Sequence, residues 1–384
     1  VPMNLNRVGT NTTVFDRIAI EKMEVRYVSD ILRKVPGFAV SQSGGHGAQT
    51  QVRVRGSEAN HVLVLIDGIR ANDPASGDEF RWEFLTTANI DRIEIVRGPQ
   101  SALWGSSAVA AVVHIITNRN TGESSINSYI EGGSNNTRNI GMNLVGNFSD
   151  WFFTGGLEYL DTNGINISRL GTELDGSELT TFNFAANYDL NNAVKIDTGV
   201  RFVDAYSEFD PISAGIPTDG DYVTKTNNVL LNFGASIGDE SALFIHKLSV
   251  REFKSDNENF IDGLDDIHTS ANRDTFMYQI DVNGNNRQMS LAVEHEKIQF
   301  EQIGSSLWGD PNQLQEMKTT SFIADVNITP IDRFSLLLSA RTDNNSDFDS
   351  VLTGRAAITY LFGEDVLLRS SVGRGQKNPT FIER

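Results

Sequence analysis

The pattern of apolar and polar positions divides the chain near residue 122. Within residues 1–121, apolar positions at close to helical spacing run from Asp16 to Val35 and stop at Pro36-Gly37, which predicts a short strand end followed by a helix. Four further runs are rich in β-forming residues and predict strands: Gln51 to Arg55, His61 to Ile66, Ile90 to Val96 and Val109 to Thr117. Residues 1–121 are therefore predicted to form a compact α/β domain with a small core of its own.

Residues 122–384 repeat a different unit, an amphipathic strand joined to the next strand by a turn or a loop. In one such strand Val194, Ile196, Thr198, Val200 and Phe202 share one face, and the opposite face carries Lys195, Asp197, Gly199 and Arg201. Tight turns such as Ser149-Asp150 alternate with predicted long loops at residues 161–178, 206–222, 254–272, 302–318 and 343–350. About 13 strands of this kind follow one another along the chain.

The alternation of short and long connections separates two kinds of β protein. A soluble β-sandwich turns its apolar faces onto one core and has connections of similar length. A transmembrane antiparallel β-barrel has short turns at one end, long loops at the other and apolar side chains on its outer face. The second pattern fits residues 122–384. Because such barrels close with even numbers of strands, about 13 strands indicates an incomplete barrel.

Charge and residue types exclude several classes of function. The chain carries 32 Lys and Arg against 50 Asp and Glu, a net charge of −18, which argues against nucleic acid as a partner because phosphate binding needs a surplus of basic residues. No run of about 18 apolar residues predicts a transmembrane helix. Cysteine is absent, which removes disulfides and thiolate chemistry. Hydrolase, metalloprotease and phosphate-loop motifs are also missing, so no enzymatic activity is predicted.

Four stretches occur in an order and spacing that resemble one known family. They are VRVRG at Val52–Gly56, VLVLIDG at Val62–Gly68, IEIVRGP at Ile93–Pro99 and VVHIIT at Val112–Thr117. This order resembles the plug of TonB-dependent outer-membrane receptors, and it is most similar to the vitamin B12 (cobalamin) receptor branch. The resemblance implies that residues 1–121 are an α/β plug domain inside a transmembrane antiparallel β-barrel of about 22 strands. Residues 122–384 are then the N-terminal part of that barrel.

The resemblance also implies a function. It implies an energised importer in the bacterial outer membrane, in contact with lipid and lipopolysaccharide, that binds cobalamin or, alternatively, a ferric siderophore. The TonB energy-transducing protein is expected to bind a segment upstream of Val1. Two other classes remain open, a passive porin and an adhesin or phage-docking barrel. Removing the energy coupling distinguishes them, since diffusion and adhesion do not depend on it.

Two plug segments are implied as ligand contacts, and we name them the first apex (residues 42–49) and the second apex (residues 72–82). The candidate residues are Ser43, His46 and Gln49 in the first, and Asn72, Asp73, Phe80, Arg81 and Trp82 in the second. His46 is also compatible with a solvated turn residue, and Phe80 to Trp82 with plug core. The resemblance further implies that Arg55 and Arg97 pair with barrel-wall glutamates, the alternative being solvated or locally paired arginines.

The loops of residues 122–384 are acidic, and calcium prefers oxygen ligands. The resemblance to the cobalamin branch makes calcium a candidate cofactor, although acidic loops are commonly just solvated. The candidate ligands are Asp161, Asp175, Asp210, Asp219 and Asp221. No covalent cofactor is predicted.

Overall fold

The computed structural model describes residues 9–117, 123–168, 171–191, 193–213, 216–239, 241–305, 310–363 and 366–384. The plug contains β1 (Asn11–Asp16), α1 (Arg17–Met23), α2 (Val28–Leu32), β2 (Phe38–Gln42), β3 (Thr50–Val54), β4 (Val62–Ile66), β5 (Ile69–Arg70), β6 (Ile90–Arg97), α3 (Ser101–Trp104) and β7 (Ala111–Thr117). Among these residues no helix is both long and apolar enough to cross a membrane. The predicted domain boundary between residues 121 and 122 lies outside the described residues.

The plug is built on a mixed five-stranded sheet in the order β1-β6-β7-β4-β5. Strands β4 and β7 run parallel, and the other neighbouring pairs are antiparallel. Every residue of β4 is apolar and buried, as expected for a strand covered on both faces. Val28, Ile31 and Leu32 of α2 are 0% exposed and share one core with Trp82 and Ile95.

The predicted strand end is present, since β1 ends at Asp16, but the single helix predicted after it is wrong, because α1 and α2 are separate short helices. Glu24 ends α1 in the left-handed conformation, with φ of 50°. The chain then runs extended, and the backbone N–H of Val28 donates to the carbonyl of Leu85 at 3.1 Å. Pairing with a distant segment therefore interrupts the helix, and helical spacing of apolar residues does not reveal such pairing.

The rest of the chain is almost entirely strand. It contains β8 (Ser125–Gly132), β9 (Arg138–Phe148), β10 (Trp151–Ile165), β11 (Asp175–Asn191), β12 (Val194–Phe209), β13 (Ile212–Ser213), β14 (Ile216–Pro217), β15 (Tyr222–Ile237), β16 (Phe244–Ile261), β17 (Leu264–Gly284), β18 (Arg287–Gly304), β19 (Gln313–Ile331), β20 (Phe334–Asn345), β21 (Val351–Phe362) and β22 (Val366–Gly373). Except for the small hairpin β13–β14, all belong to one antiparallel sheet of 13 strands, which we call the wall. In the described residues the wall is open, with β8 and β22 at its edges, which confirms the predicted incomplete barrel.

The outer face of the wall carries a continuous apolar band. The strand register sets Leu248 opposite Tyr278, Tyr278 opposite Val293 and Val293 opposite Phe322. All four side chains are exposed. Near the Ser149-Asp150 turn, Trp151 stacks on a neighbouring tyrosine with ring centres 4.4 Å apart. Such a band with aromatic residues toward the turns is the pattern of a lipid-facing barrel surface.

The wall strands are longer than the sequence pattern predicts, so the predicted long loop at residues 254–272 is wrong. Strands β16 and β17 have 18 and 21 residues and meet in a tight turn at Asp262-Gly263. A barrel strand needs only about 10 residues to cross a bilayer. The outer halves of these strands therefore extend beyond the apolar band, where the outward side chains are charged, as in the Lys254–Glu252 pair at 2.7 Å. With polar residues on both faces, the alternation that predicts a strand disappears.

The plug packs against the inner face of the wall. Leu230 of β15 and Phe253 of β16 are 3% and 2% exposed and belong to the core of the plug itself. A second contact packs Ala75 of the plug with Ile298 and Phe300 of β18. Plug and wall are thus joined by shared apolar cores as well as by the polar contacts described below.

Candidate functional site

The first apex is the hairpin tip between β2 and β3, and its three predicted ligand residues are exposed. Ser43 donates to the carbonyl of Gln49 through its backbone N–H at 3.1 Å and its hydroxyl at 3.3 Å. The His46 ring stacks on Tyr27, with ring centres 5.3 Å apart. Partial burial and the positive charge of Arg26 lower the pKa of His46, which favours a neutral ring. These exposed polar groups are available to a ligand, and ligand binding by them stays a prediction.

A close contact with the wall fixes the first apex. The hydroxyl of Ser207 donates to the carbonyl of Gly47 at 2.8 Å. A Cβ atom at Gly47, whose φ is 84°, would lie 2.3 Å from the side chain of Ser177. Only glycine allows this approach, so the apex is seated directly against β11 and β12.

Asn72, at the start of the second apex, lies wholly inside the plug at 0% exposure. Its Oδ1 accepts from the backbone N–H of Val64 at 2.8 Å. Its Nδ2 donates to the carbonyls of Val62 and Asp78, both at 2.9 Å. These bonds hold the apex against β4, so the side chain shapes the plug.

Asp73 joins the second apex to the wall. It is 1% exposed and accepts hydrogen bonds from Nδ2 of Asn257 at 2.9 Å and from the hydroxyl of Ser255, both on β16. Its Oδ1 also accepts from the backbone N–H of Ala75 at 2.8 Å.

We expect Asp73→Ala to loosen the second apex from the wall. Three buried donors lose their acceptor, and a hydrogen bond to a charged group contributes about 1.5–3 kcal/mol. Amide hydrogen exchange of residues 72–84 in the full-length protein is expected to accelerate about 10- to 100-fold. The partly exposed Asp91→Ala serves as control and is expected to leave that exchange unchanged. Equal exchange in Asp73→Ala and the unaltered protein would contradict the assigned role.

Phe80, Arg81 and Trp82 sit at the edge of the plug core. Trp82 is 2% exposed and meets the Phe80 ring edge to face, with ring centres 4.8 Å apart. Nε of Arg81 lies 2.9 Å from a carboxylate oxygen of Glu83, and its guanidinium lies over the Phe84 ring. Trp82 is thus part of the plug core, while the side chains of Phe80 and Arg81 remain partly exposed to solvent. Ligand contact by these residues stays a prediction.

Arg55 and Arg97 lie close enough for their charges to interact, at the ends of β3 and β6. Arg55 is exposed. Arg97 donates from Nη2 to Asn11 at 2.6 Å and to Thr13 at 2.7 Å, both in the plug. Burial and the charge of Arg55 lower the pKa of Arg97. The described wall strands place no glutamate at ion-pair distance from either guanidinium, so the predicted pairing stays a prediction.

Three carboxylates meet beside the first apex. Glu173, between β10 and β11, lies with Asp210 and Asp219, between β12 and β15, so that one oxygen from each falls within 4.8 Å of the others. We call these three residues the acidic cluster. Backbone N–H groups of Ser168 and Gly220 donate to the two oxygens of Asp210 at 3.1 and 3.2 Å, which fixes the loops around it. Converging carboxylates on loops are the donor set that suits Ca²⁺.

The acidic cluster contains two of the five predicted calcium ligands, and calcium binding itself stays a prediction. Asp210 and Asp219 were both predicted ligands, and Glu173 was missed because its loop showed no distinct signal. Asp175 and Asp221 stand close enough for their charges to raise the pKa of Glu173, together with burial and the charges of the cluster itself. Asp161 lies on β10, opposite Glu178 and Arg138 in the register, and is not part of the cluster.

A layer of largely buried charges joins the plug to the opposite part of the wall. Asp78 accepts from Nη2 of Arg273 at 2.8 Å and from Nζ of Lys377 at 2.5 Å. Arg70 and Arg273 both face Glu296, with N–O distances of 3.5 and 3.7 Å. Although burial opposes ionisation, Lys377, Arg273 and Arg70 hold the pKa of Asp78 well below its usual range. We call these five residues the ion layer.

Sequence reasoning did not single out any member of the ion layer, although Asp78 lies within the second apex. Asp78 lies 195 residues from Arg273 and 299 residues from Lys377, so no local spacing links them. Only the packing of β17, β18 and the segment after β22 against the plug brings these charges together.

Two family profiles together cover nearly the whole chain. Residues 4–112 match the family described as TonB-dependent Receptor Plug Domain. Residues 117–384 match the family described as TonB dependent receptor-like, beta-barrel.

Curated relatives are similar along the chain. It is 25% identical over 404 residues to the vitamin B12 transporter BtuB of Vibrio vulnificus, covering 99% of this chain and 62% of that protein. It is 26% identical over 377 residues to the vitamin B12 transporter BtuB of Photobacterium profundum, covering 96% and 59%. The chain therefore spans about three-fifths of the length of these relatives.

Solved structures share the fold at lower identity. The siderophore receptor PirA from Acinetobacter baumannii superposes with a TM-score of 0.80 at 18% identity, over 99% of this chain and 63% of that one. The ferric yersiniabactin uptake receptor FyuA from Yersinia pestis gives 0.69 at 16% identity, over 93% and 63%. With its plug and its antiparallel wall, the chain belongs to the TonB-dependent receptor family.

Proposed function

We propose that this chain is the plug and the first part of the barrel of an energised outer-membrane importer for cobalamin. The observation that carries the proposal is a plug packed inside the wall with the exposed first apex seated beside the acidic loops. In this arrangement a ligand arriving from the loop side meets Ser43, His46 and Gln49 first. The plug blocks free diffusion, so passage requires that the plug move.

Cobalamin is the preferred ligand because similarity along the whole chain is to vitamin B12 transporters. A ferric siderophore is the second candidate, because the solved receptors with the same fold include siderophore receptors. Their identity to this chain is 14–18%, which supports the shared fold more than a shared ligand. The exposed His46 ring would also suit the polar rim of an iron chelate.

The acidic cluster is proposed to hold calcium. The cluster suits Ca²⁺ because its three carboxylates each place one oxygen atom within 4.8 Å of the others, and Asp175 and Asp221 add negative charge nearby. A bound Ca²⁺ would offset part of this negative charge and fix the two loops in one arrangement beside the first apex. We therefore expect calcium to strengthen ligand binding.

The remaining partners follow from the family. The apolar band is proposed to face outer-membrane lipid, and the charged outer halves of the strands to face lipopolysaccharide. Coupling to TonB is proposed to use a segment upstream of Val1. Arg55 and Arg97, two neighbouring cations with Nε and Nη1 of Arg97 unbonded among the described residues, suit acidic partners on the barrel wall. A transporter of this family needs no enzymatic activity.

Ligand titration of the full-length protein in detergent tests the choice of cargo. Tryptophan fluorescence is followed while cyanocobalamin or a panel of ferric siderophores is added, with and without calcium. We expect saturable cobalamin binding that calcium strengthens, and weaker binding in His46→Ala than in the control Ser57→Ala, which lies outside the apex. Saturable binding of one iron chelate without any response to cobalamin would favour the siderophore candidate instead.

A further inference from the structure

A large cavity lies between the plug and one side of the wall. Its volume is about 680 Å³, within the roughly 300–1,000 Å³ range of small-molecule sites. Leu63 and Leu65 of β4 and Trp104 line it from the plug, and Ala292 and Ile323 line it from the wall. The wall residues lie in the halves of β18 and β19 nearer the tight turns. We call this cavity the chamber.

A second, smaller cavity lies in line with the chamber, nearer the loops. It measures about 60 Å³, and Met317 and Thr319 of β19 line it further from the tight turns than Ile323. Arg70, Arg273 and Glu296 line both cavities. The ion layer is therefore the partition between a loop-side pocket and the chamber.

The plug and the wall both contribute residues to this partition. Arg70 and Asp78 belong to the plug, whereas Arg273, Glu296 and Lys377 belong to the wall or to the segment after it. Buried charges are stable only while they are paired, so the layer closes firmly when plug and wall are in contact. A local displacement of the plug segment that holds Arg70 and Asp78 separates all the plug–wall pairs at once and joins the two cavities, while the Arg273–Glu296 pair stays within the wall.

Among the described residues, the cavities between the other side of the plug and the wall are much smaller. Against β11, β12 and β15 the plug–wall cavities measure only about 20 Å³ each. Direct contacts fill that side, among them the bond from Thr86 to Glu158 of β10 at 2.5 Å and the seat of the first apex. A passage there requires that many contacts break together.

We propose that the ligand passes between the plug and strands β15–β20, with the ion layer as the gate and the chamber as a transit site. The inference rests on the proposed import function and specifies its route. The chamber suits a hydrophilic chelate that carries amide or carboxylate groups, because polar residues share its lining with apolar ones. They include Asn232, Gln279, Gln288, Asn327 and Arg251. The plug then needs only a local movement and does not have to leave the barrel.

The gate is tested with paired substitutions in the full-length protein. Asp78→Asn combined with Arg273→Met removes one opposite pair from the ion layer. Glu296 keeps Arg70 as its partner, and Lys377 loses its carboxylate partner, which weakens the gate further. In cells that lack the energy-transducing protein, we expect influx of the hydrophilic antibiotic vancomycin to rise about tenfold or more, the ratio for ~1.4 kcal/mol in an open–closed equilibrium. The control combines Gln100→Met with Arg355→Met, a buried plug–wall contact that lines neither cavity. No increase, or an equal increase in the control, overturns the gate.

The transit site is tested by cysteine labelling, since the chain has no cysteine of its own. Ala292→Cys places a thiol in the chamber, and Ala185→Cys places one in a cavity of about 20 Å³ on the other side. Both thiols are labelled with a water-soluble methanethiosulfonate reagent. During energised import of cyanocobalamin, labelling at position 292 is expected to slow at least severalfold, whereas labelling at position 185 is expected to stay unchanged. Import without this protection overturns the transit site. Absence of any ligand binding refutes the proposed function instead.

Discussion

Leu291→Arg is expected to destabilise the barrel in a bilayer by about 2–4 kcal/mol, because it places a charge on the lipid-facing side of β18. Leu291 is 41% exposed and lies in the apolar band, opposite Ile280 of β17. The exposure of so many apolar side chains is unfavourable in water and is explained if lipid covers them.

The same strand supplies a matched control. Gln299 also points outward from β18, but it lies in the charged outer half, where its neighbour across the strand pair is Glu316. Gln299→Arg is expected to cost no more than about 1 kcal/mol. The measurement is urea unfolding of the full-length protein refolded into phospholipid vesicles. Equal costs for the two substitutions would contradict the assignment of the band to lipid.

Asp210→Asn is expected to weaken calcium binding about 100-fold or more, since changes even in residues that only support a metal ligand cost about 10- to 100-fold. Asp210 is the buried member of the acidic cluster, held by two backbone N–H groups. Asp161→Asn is the control, because Asp161 is also an aspartate near the loop end of the wall but lies outside the cluster. We expect its calcium affinity to be unchanged in a calorimetric titration.

The acidic cluster also predicts a pH dependence. Burial and the charges of Asp221 and Asp219 raise the pKa of Glu173, so protons compete with calcium at a higher pH than they do at an isolated glutamate. Calcium affinity should therefore fall as the pH is lowered toward that raised pKa, and Glu173→Gln should reduce the slope. Calcium binding that is independent of pH, or as weak in Asp161→Asn as in Asp210→Asn, would contradict the site.

How much of the fold the sequence predicts depends on what surrounds each strand. Where one face of the wall carries the apolar band, apolar and polar residues alternate and the strands are evident, as in residues 194–202. In the outer half of β16, Lys254 points outward and Ser255 inward, and both are polar, so the pattern resembles a loop. The strand count was predicted correctly, but the strand ends were not.

The candidate site was likewise predicted from the sequence only in part. The first apex was implied by the resemblance to the receptor family. Two of the three carboxylates in the acidic cluster lie in one loop, residues 206–222, whose acidic residues are evident in the sequence. The ion layer was not predicted because Asp78 and Lys377 come into contact only where the wall packs around the plug. Asn72 and Asp73 resemble surface loop residues in sequence, yet burial in the structure gives them bonds to the plug and to β16.

Uptake of labelled cobalamin by cells that express the full-length protein tests the central claim most directly. Surface binding and accumulation are measured separately, in cells with and without the energy-transducing protein. An energised importer is expected to accumulate cobalamin only in coupled cells, while surface binding persists in both. Accumulation that continues without coupling would indicate a passive pore, and binding without accumulation in coupled cells would indicate a docking surface. Either result would contradict the account.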